Sequence, residues 1–359
     1  MVEKKYLKFF MKICYFGIYQ KDYCRAKNTI IGLRKCGVEV IEVQDRTPGF
    51  KKFWNLYKQH REIRNNYDIM LVGFPGQIIM PFAKLISKKP IVFDAFASMY
   101  DGNVFDRKNC SPYSLKALWY YCMDWLSCAL ADRVLLDTKE HAQYFIKTFR
   151  MNSKKLIVVY HGIDDNVYHP LNVQKNEKCF LAVFYGYITP LHGIEYVLGA
   201  MKKLEKENIR LWIIGGGQDY KKMKEFATNE LKLSNVDFFP VMVPEKLMNF
   251  IGSVHVGLGI FGNTDKVNRV IPNKVYELMA MGISVITSDT PAIREKFTHR
   301  ENVYLCKRAD IDAIADAIVD IKNNQELRDH ISKKALLCIK ENLTPIILGT
   351  QLLKDLEEV

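Results

Sequence analysis

The chain has 359 residues, 48% of them hydrophobic and 26% charged, an ordinary globular balance too long for a single core, so two domains are expected. Its formal net charge is +12, and residues 1–170 hold 27 Lys and Arg against 16 Asp and Glu, while the remainder holds 25 against 24. No apolar run reaches the roughly 18 residues of a spanning helix, and nine cysteines without a C-x-x-C pair point to reduced thiols in a cytoplasmic protein, not to a disulfide frame or a zinc site.

Residues 1–10 have no signal-peptide pattern, since Lys4, Lys5 and Lys8 interrupt the apolar residues; they read as an extension, with Met11 as an alternative start. Residues 12–19 form a strand that ends at Gly17, a helix follows over 25–36, and a strand over 38–43. This βαβ opening implies a parallel sheet. The Gly17 turn departs from G-x-G-x-x-G, which disfavours a nicotinamide dehydrogenase. Glycine at a strand's carboxyl end still marks the crevice where such sheets bind ligands. Arg25, just beyond it, is a candidate anion or acceptor contact, with a surface helix start as the ordinary alternative.

The stretch from Phe50 to Asn66 is an amphipathic helix. Phe50, Phe53, Trp54 and Tyr57 share one face, and five Lys and Arg stand against Glu62. That composition suits contact with an anionic membrane, although packing of the aromatics on the sheet is its usual explanation. Strands follow at 67–73 and 90–95, the second ending at Asp94. The loop after it carries Asp101, Asp106 and Arg107 at the crevice end, which makes Asp94, Asp101 and Arg107 site candidates, Arg107 on the acceptor side with Gly17 and Arg25. A long aromatic helix spans 115–131, and a strand at 156–160 closes this half. Nucleic acid is set aside, because the basic excess carries no recognised nucleic-acid motif.

Residues 173–178 are polar and unpatterned, a plausible linker. A second βαβ series then runs from a strand at 179–185 to helices at 310–323 and 326–340 and a final helix over 344–356. The expected organisation is an N-terminal domain over 1–172, the linker, a C-terminal domain over 179–340, and a terminal segment over 341–359.

The most informative stretch is residues 269–287, R-V-I-P-N-K-V-Y-E-L-M-A-M-G-I-S-V-I-T. A helix begins near Lys274 and stops at Gly282, with Arg269, Asn273 and Lys274 in or beside the loop before it. A helix N-terminus flanked by cations seats phosphate. Glu277, in the first turns, is placed to accept hydrogen bonds from sugar hydroxyls. Phosphate and sugar together suggest a nucleotide-sugar site, against the plain alternative of an amphipathic helix with solvated charges.

With V-V-Y-H-G-I-D-D-N-V-Y-H-P before the linker and G-Y-I-T-P-L-H-G opening the second half, nearly the whole chain resembles the retaining glycosyltransferases of family four. The resemblance implies an α/β GT-B fold: two doubly wound, Rossmann-like domains facing across a cleft, with the last helix crossing back to the first domain. It implies a nucleotide diphosphate sugar as donor, bound by the C-terminal domain, and a glycan or lipid-linked acceptor approaching from the N-terminal domain, in surface-polysaccharide assembly. Glu277 matches the second of the family's two glutamates, which holds the ribose. The first is replaced by Arg269. The family's Gly-Arg and Lys-Gly pairs, which grip the pyrophosphate, stand here as Gly186-Tyr187 and His192-Gly193, so both cations are altered. Lys266, Arg269 and Lys274 are candidates to replace them, and Gly215 and Gly216 match the glycine-rich turn near the base.

The reaction expected is retaining hexosyl transfer, with cations stabilising the departing pyrophosphate. Asp94 and Asp101 are candidate acceptor contacts or weak bases, and Lys274 and Arg269 candidate catalytic cations. No D-x-D motif occurs in the crevice loops, so neither an essential metal nor another cofactor is expected. The location implied is cytoplasmic, at the inner face of the membrane. Two alternatives stay open: another GT-B enzyme, an epimerase or phosphorylase, and a non-catalytic partner subunit of a transferase.

Overall fold

The computed structural model describes residues 11–175 and 178–359. The extension assigned to residues 1–10 and part of the 173–178 linker fall outside the described residues. Among those described, the chain forms two six-stranded sheets in two units. Unit 1 comprises the residues up to Asp101, Cys110–Gly162 and Leu343–Val359; unit 2 comprises Gly102–Asn109 and Ile163–Asn342.

In unit 1, β1 (Lys12–Gly17), α1 (Cys24–Lys35), β2 (Glu39–Gln44), α2 (Lys51–Ile63), β3 (Ile69–Val72), α3 (Met80–Ile86), β4 (Ile91–Asp94), α4 (Leu115–Leu130), β5 (Arg133–Leu136), α5 (Lys139–Phe149) and β6 (Leu156–Val158) alternate. The sheet order is β2-β1-β3-β4-β5-β6, all parallel. The central strands are continuous apolar runs because helices cover both faces. One face is filled by Leu56, Ala83, Cys128 and Phe145 from α2, α3, α4 and α5, packed on Cys14, Phe16, Met70 and Phe93 of the strands. Ser114 and Thr138 start α4 and α5 by accepting from Ala117 N–H and His141 N–H, which satisfies amide groups that lack a helical partner.

Unit 2 repeats the plan. β7 (Phe180–Tyr187), α6 (Ile194–Lys203), β8 (Ile209–Gly216), α7 (Tyr220–Glu225), β9 (Val236–Phe239), α8 (Pro244–Gly252), β10 (Val256–Leu258), α9 (Asn273–Ala280), β11 (Ser284–Ser288), α10 (Pro291–Arg294), β12 (Tyr304–Cys306), α11 (Ile311–Asn323) and α12 (Gln325–Asn342) follow in sequence. The parallel order is β12-β11-β10-β7-β8-β9. The last helix, α13 (Pro345–Leu356), returns to unit 1 and packs on α1. Two glycines allow the contact: a Cβ on Gly32 would lie 2.3 Å from the Pro345 carbonyl oxygen, and one on Gly349 would lie 2.5 Å from the Gly32 backbone.

Most elements fall within a residue or two of the sequence pattern. Two features differ. The units divide between Gly162 and Ile163, ahead of the polar stretch. Residues past that point already pack on unit 2: Val173 lies 3.3 Å from where a Cβ on Gly252 would stand. The second difference is a π-helical turn, Asp101–Asp106, in the loop after β4. No helix among the described residues is long and apolar enough to cross a membrane.

Candidate functional site

The chemistry of unit 2 gathers at the carboxyl ends of β7 and β8 and the amino end of α9. β7 and β8 stay in register to their last residues, with Gly186 opposite Gly215 and Tyr187 opposite Gly216. Only glycine fits at 215, where φ is +149° and a Cβ would stand 2.0 Å from the Gly186 carbonyl oxygen. Tyr187 projects from the strand end and is 71% exposed. Gly193, in the left-handed region, ends the short turn Pro190–His192 and starts α6.

Lys274 and Glu277 stand one turn apart on α9, and both are buried. The Lys274 ammonium lies 3.4 Å from the centroid of the Phe184 ring and beside Gly186. It has no hydrogen-bond partner in the structure. Burial pushes the Lys274 pKa well below its ordinary 10.5, with Glu277 opposing the shift. The Glu277 carboxylate accepts from the Tyr185 hydroxyl at 2.7 Å and from the Tyr168 hydroxyl. Burial raises the Glu277 pKa, while the two tyrosines and Lys274 favour its charged form.

His192 is partly buried under the same surface. Its Nδ1 accepts from the Thr189 backbone N–H at 3.2 Å, so the neutral ring carries its proton on Nε2. Burial is the largest cause holding its pKa well below 6.5, and three cations add to it: Lys274, Lys266 and Arg107. These three positive groups therefore bear on one imidazole. Lys266 is also 3.7 Å from the Asp106 carboxylate. Arg107, exposed, comes from Gly102–Asn109, the segment after β4 that belongs to unit 2; its carbonyl accepts from the Gln218 side chain at 3.1 Å. Arg107 thus belongs to unit 2 with Lys266 and Lys274, whereas Gly17 and Arg25, the residues grouped with it in the sequence, belong to unit 1. Arg269 is half-buried after the short turn Asp265–Asn268, and Asn273 is the partly exposed first residue of α9.

In unit 1, Gly17 ends β1 as expected. Arg25 and Asp94, read from the sequence as separate acceptor contacts, hold each other. The Arg25 Nε is 3.1 Å from Asp94 Oδ2, its second nitrogen 3.1 Å from Oδ1, and its third donates to the Val159 carbonyl at 3.0 Å. Asp94 is 0% exposed and Arg25 3%. The carboxylate is enclosed and doubly engaged, and the pair ties β4 to α1. Asp101 is buried at the start of the π-helical turn, with its backbone N–H donating to Ser98 Oγ at 2.9 Å. That loop is fixed from below by Asp124 of α4, which accepts from Ser98 Oγ, Met99 N–H, Tyr100 N–H and Gln77.

The spacing of residues alone left Tyr168, Tyr185 and Phe184, which orient Glu277 and Lys274, unmarked. Tyr185 and Phe184 had a signal in their place directly before Gly186-Tyr187, and Tyr168 in its place within V-V-Y-H-G-I-D-D-N-V-Y-H-P, but nothing local ties Tyr168 to Glu277, far from it in sequence. Among the described residues no group of three or more His, Cys, Asp or Glu side chains could hold a metal ion.

Residues 171–337 match the family model described as glycosyl transferases group 1. An uncharacterized glycosyltransferase of Haemophilus influenzae is 21% identical over 296 residues, covering 80% of this chain and 76% of its own. Among solved structures, HepE of Anabaena in complex with UDP and glucose superposes with a TM-score of 0.72 at 14% identity, covering 97% of this chain and 100% of that one. Sucrose-phosphate synthase of Thermosynechococcus elongatus superposes with a TM-score of 0.75 at 12% identity, covering 97% and 98%. These likenesses give the fold, which is GT-B.

Proposed function

We propose that this chain, a GT-B protein with a glycosyl transferases group 1 domain over residues 171–337, transfers a hexosyl group from a nucleotide diphosphate sugar to a hydroxyl of a glycan or lipid-linked acceptor. The observation that carries this reading is the buried Lys274 ammonium beside Gly186, one helical turn from the Glu277 carboxylate held by Tyr185 and Tyr168. A diphosphate answers the positive groups, and a ribose answers Glu277. The UDP and glucose bound by HepE support a UDP-sugar as the first donor to try.

In this reading Lys274, Lys266 and Arg107 bear on the diphosphate, and their charge stabilises it most as it departs. His192 adds a hydrogen bond from Nε2 rather than a charge. Glu277 accepts from the ribose hydroxyls, with its orientation set by Tyr168 and Tyr185. Arg269 takes the position where the resemblance expects a glutamate at the donor sugar. With Asp94 held by Arg25, the acceptor proton goes to the departing diphosphate. Retention of configuration and a place in surface-polysaccharide assembly rest on the family resemblance.

The test is a thermal-shift panel of UDP, GDP and ADP species and their sugars, followed by product analysis with the sugar that shifts most. Ligand at a hundred times its Kd stabilises by about 2.7 kcal/mol, or about 5–10 °C for a unit of this size. If no nucleotide raises the Tm, the transferase reading fails and a non-catalytic partner subunit replaces it.

A further inference from the structure

The helix α4 is apolar on two faces. Ala117, Tyr120 and Cys128 point into unit 1 and are buried, while Leu115, Leu118, Trp119, Cys122 and Trp125 recur at helical spacing and are exposed. Leu115 is 86% exposed and Leu118 57%. A helix that is hydrophobic all round is ordinarily enclosed, and this one lies at the surface. Its neighbours show the same excess. Phe53 of α2 meets Phe82 of α3 edge-on at 5.3 Å. Outside that contact Phe50, Trp54 and Leu85 remain in solvent at 89%, 58% and 83% exposure. They border an open hollow of about 750 Å³ whose rim includes Arg61 and Arg64.

We propose that the outer layer of α2, α3 and α4 docks on an anionic lipid surface. The three helices cover one face of the unit 1 sheet, since their inward residues share one core and α3 packs on α4. Charge selects the occupant. Residues 51–64 carry Lys51, Lys52, Lys58, Arg61 and Arg64 against Glu62 alone, and Lys88 and Lys89 follow α3. The Lys58 ammonium lies 5.3 Å from the centroid of the Trp54 ring. Long cationic stems over aromatic rings place the rings at the acyl boundary and the charges among headgroups. A second copy of this chain is the poorer occupant: a two-fold contact would set these cations against themselves. This surface is separate from the donor site, so the proposal stands or falls independently of the transferase reading.

The experiment mixes the full chain with phosphatidylcholine vesicles, with and without phosphatidylglycerol, and reads sedimentation and tryptophan emission. Trp54, Trp119 and Trp125 are exposed, whereas the remaining tryptophan, Trp212, packs against Phe239 and Phe250 in unit 2. Binding to the anionic vesicles alone, with a blue shift and release by added salt, is the expected result. Each exposed cation removed lowers partitioning about fivefold, so Lys51→Gln with Lys58→Gln lowers it about 25-fold. Leu118→Ser with Trp125→Ser reduces the blue shift and lowers partitioning at least tenfold. An unchanged Tm and unchanged far-ultraviolet circular dichroism certify that both variants are folded. The proposal is overturned by no binding to anionic vesicles, by equal binding to neutral ones, by variants that bind like the parent, or by a dimer that the Leu118 and Trp125 substitutions dissolve.

Discussion

Replacing Lys274 with methionine should make the protein more stable and the enzyme inactive. The ammonium is buried, without a hydrogen-bond partner, against Phe184. Burying an ion costs several kcal/mol, and exchanging a buried ion for an apolar group often stabilises by about 1–4 kcal/mol. The attraction between the ammonium and the Phe184 ring, which the variant forgoes, is worth up to about 2 kcal/mol, and packing of the thioether on the ring partly returns it. The net is about 1–2 kcal/mol in favour of Lys274→Met, or a rise of about 2–8 °C in Tm without ligand. The effect has a pH signature. Because the folded-state pKa is below the ordinary 10.5, the unfolded chain binds more protons between the two values. The cost of Lys274 to the fold is absent above 10.5, grows as pH falls toward the folded value, and is complete below it. The Tm advantage of the variant should therefore shrink as pH rises toward 10.5. Nucleoside diphosphate binding should move the other way. Losing a charge-assisted hydrogen bond costs about 1.5–3 kcal/mol, roughly 10- to 150-fold in Kd. Calorimetry in two buffers of different ionisation enthalpy should show proton uptake by the parent at pH values between the folded-state pKa and 10.5, and less by the variant. A variant that melts lower and still binds UDP as tightly would refute the reasoning and make Lys274 a structural lysine.

Glu277→Ala should weaken nucleotide binding by about 1.5–3 kcal/mol through lost hydrogen bonds to a charged acceptor, read by titration; an unchanged Kd would show that the ribose lies elsewhere. Asp94→Asn leaves the Arg25 guanidinium buried without its counter-ion and should cost about 3–5 kcal/mol of stability. The acceptor KM of the folded fraction should not change, and a rise in that KM with an unchanged Tm would return Asp94 to the acceptor site.

The sequence by itself determined the elements and their kind. Alternating apolar runs and 3.6-residue periodicity are local properties, and a run such as Ile13 to Phe16, short and stopped by Gly17, suits a strand covered on both faces. The same locality made the α9 stretch legible, since Lys274 and Glu277 share a helix and their spacing fixes their separation. The tertiary structure decided which groups are free to act. Arg25 and Asp94 looked like two site residues and became one buried ion pair, because α1 and β4 are neighbours only in the folded sheet. Arg107 looked like an acceptor contact, yet its segment folds as part of unit 2. In the proposed reading, the cations missing from positions 187 and 192 are supplied by Lys274, Lys266 and Arg107 from other parts of the chain. Spacing along a sequence carries no information about such encounters; charge and burial settle them only when distant segments meet.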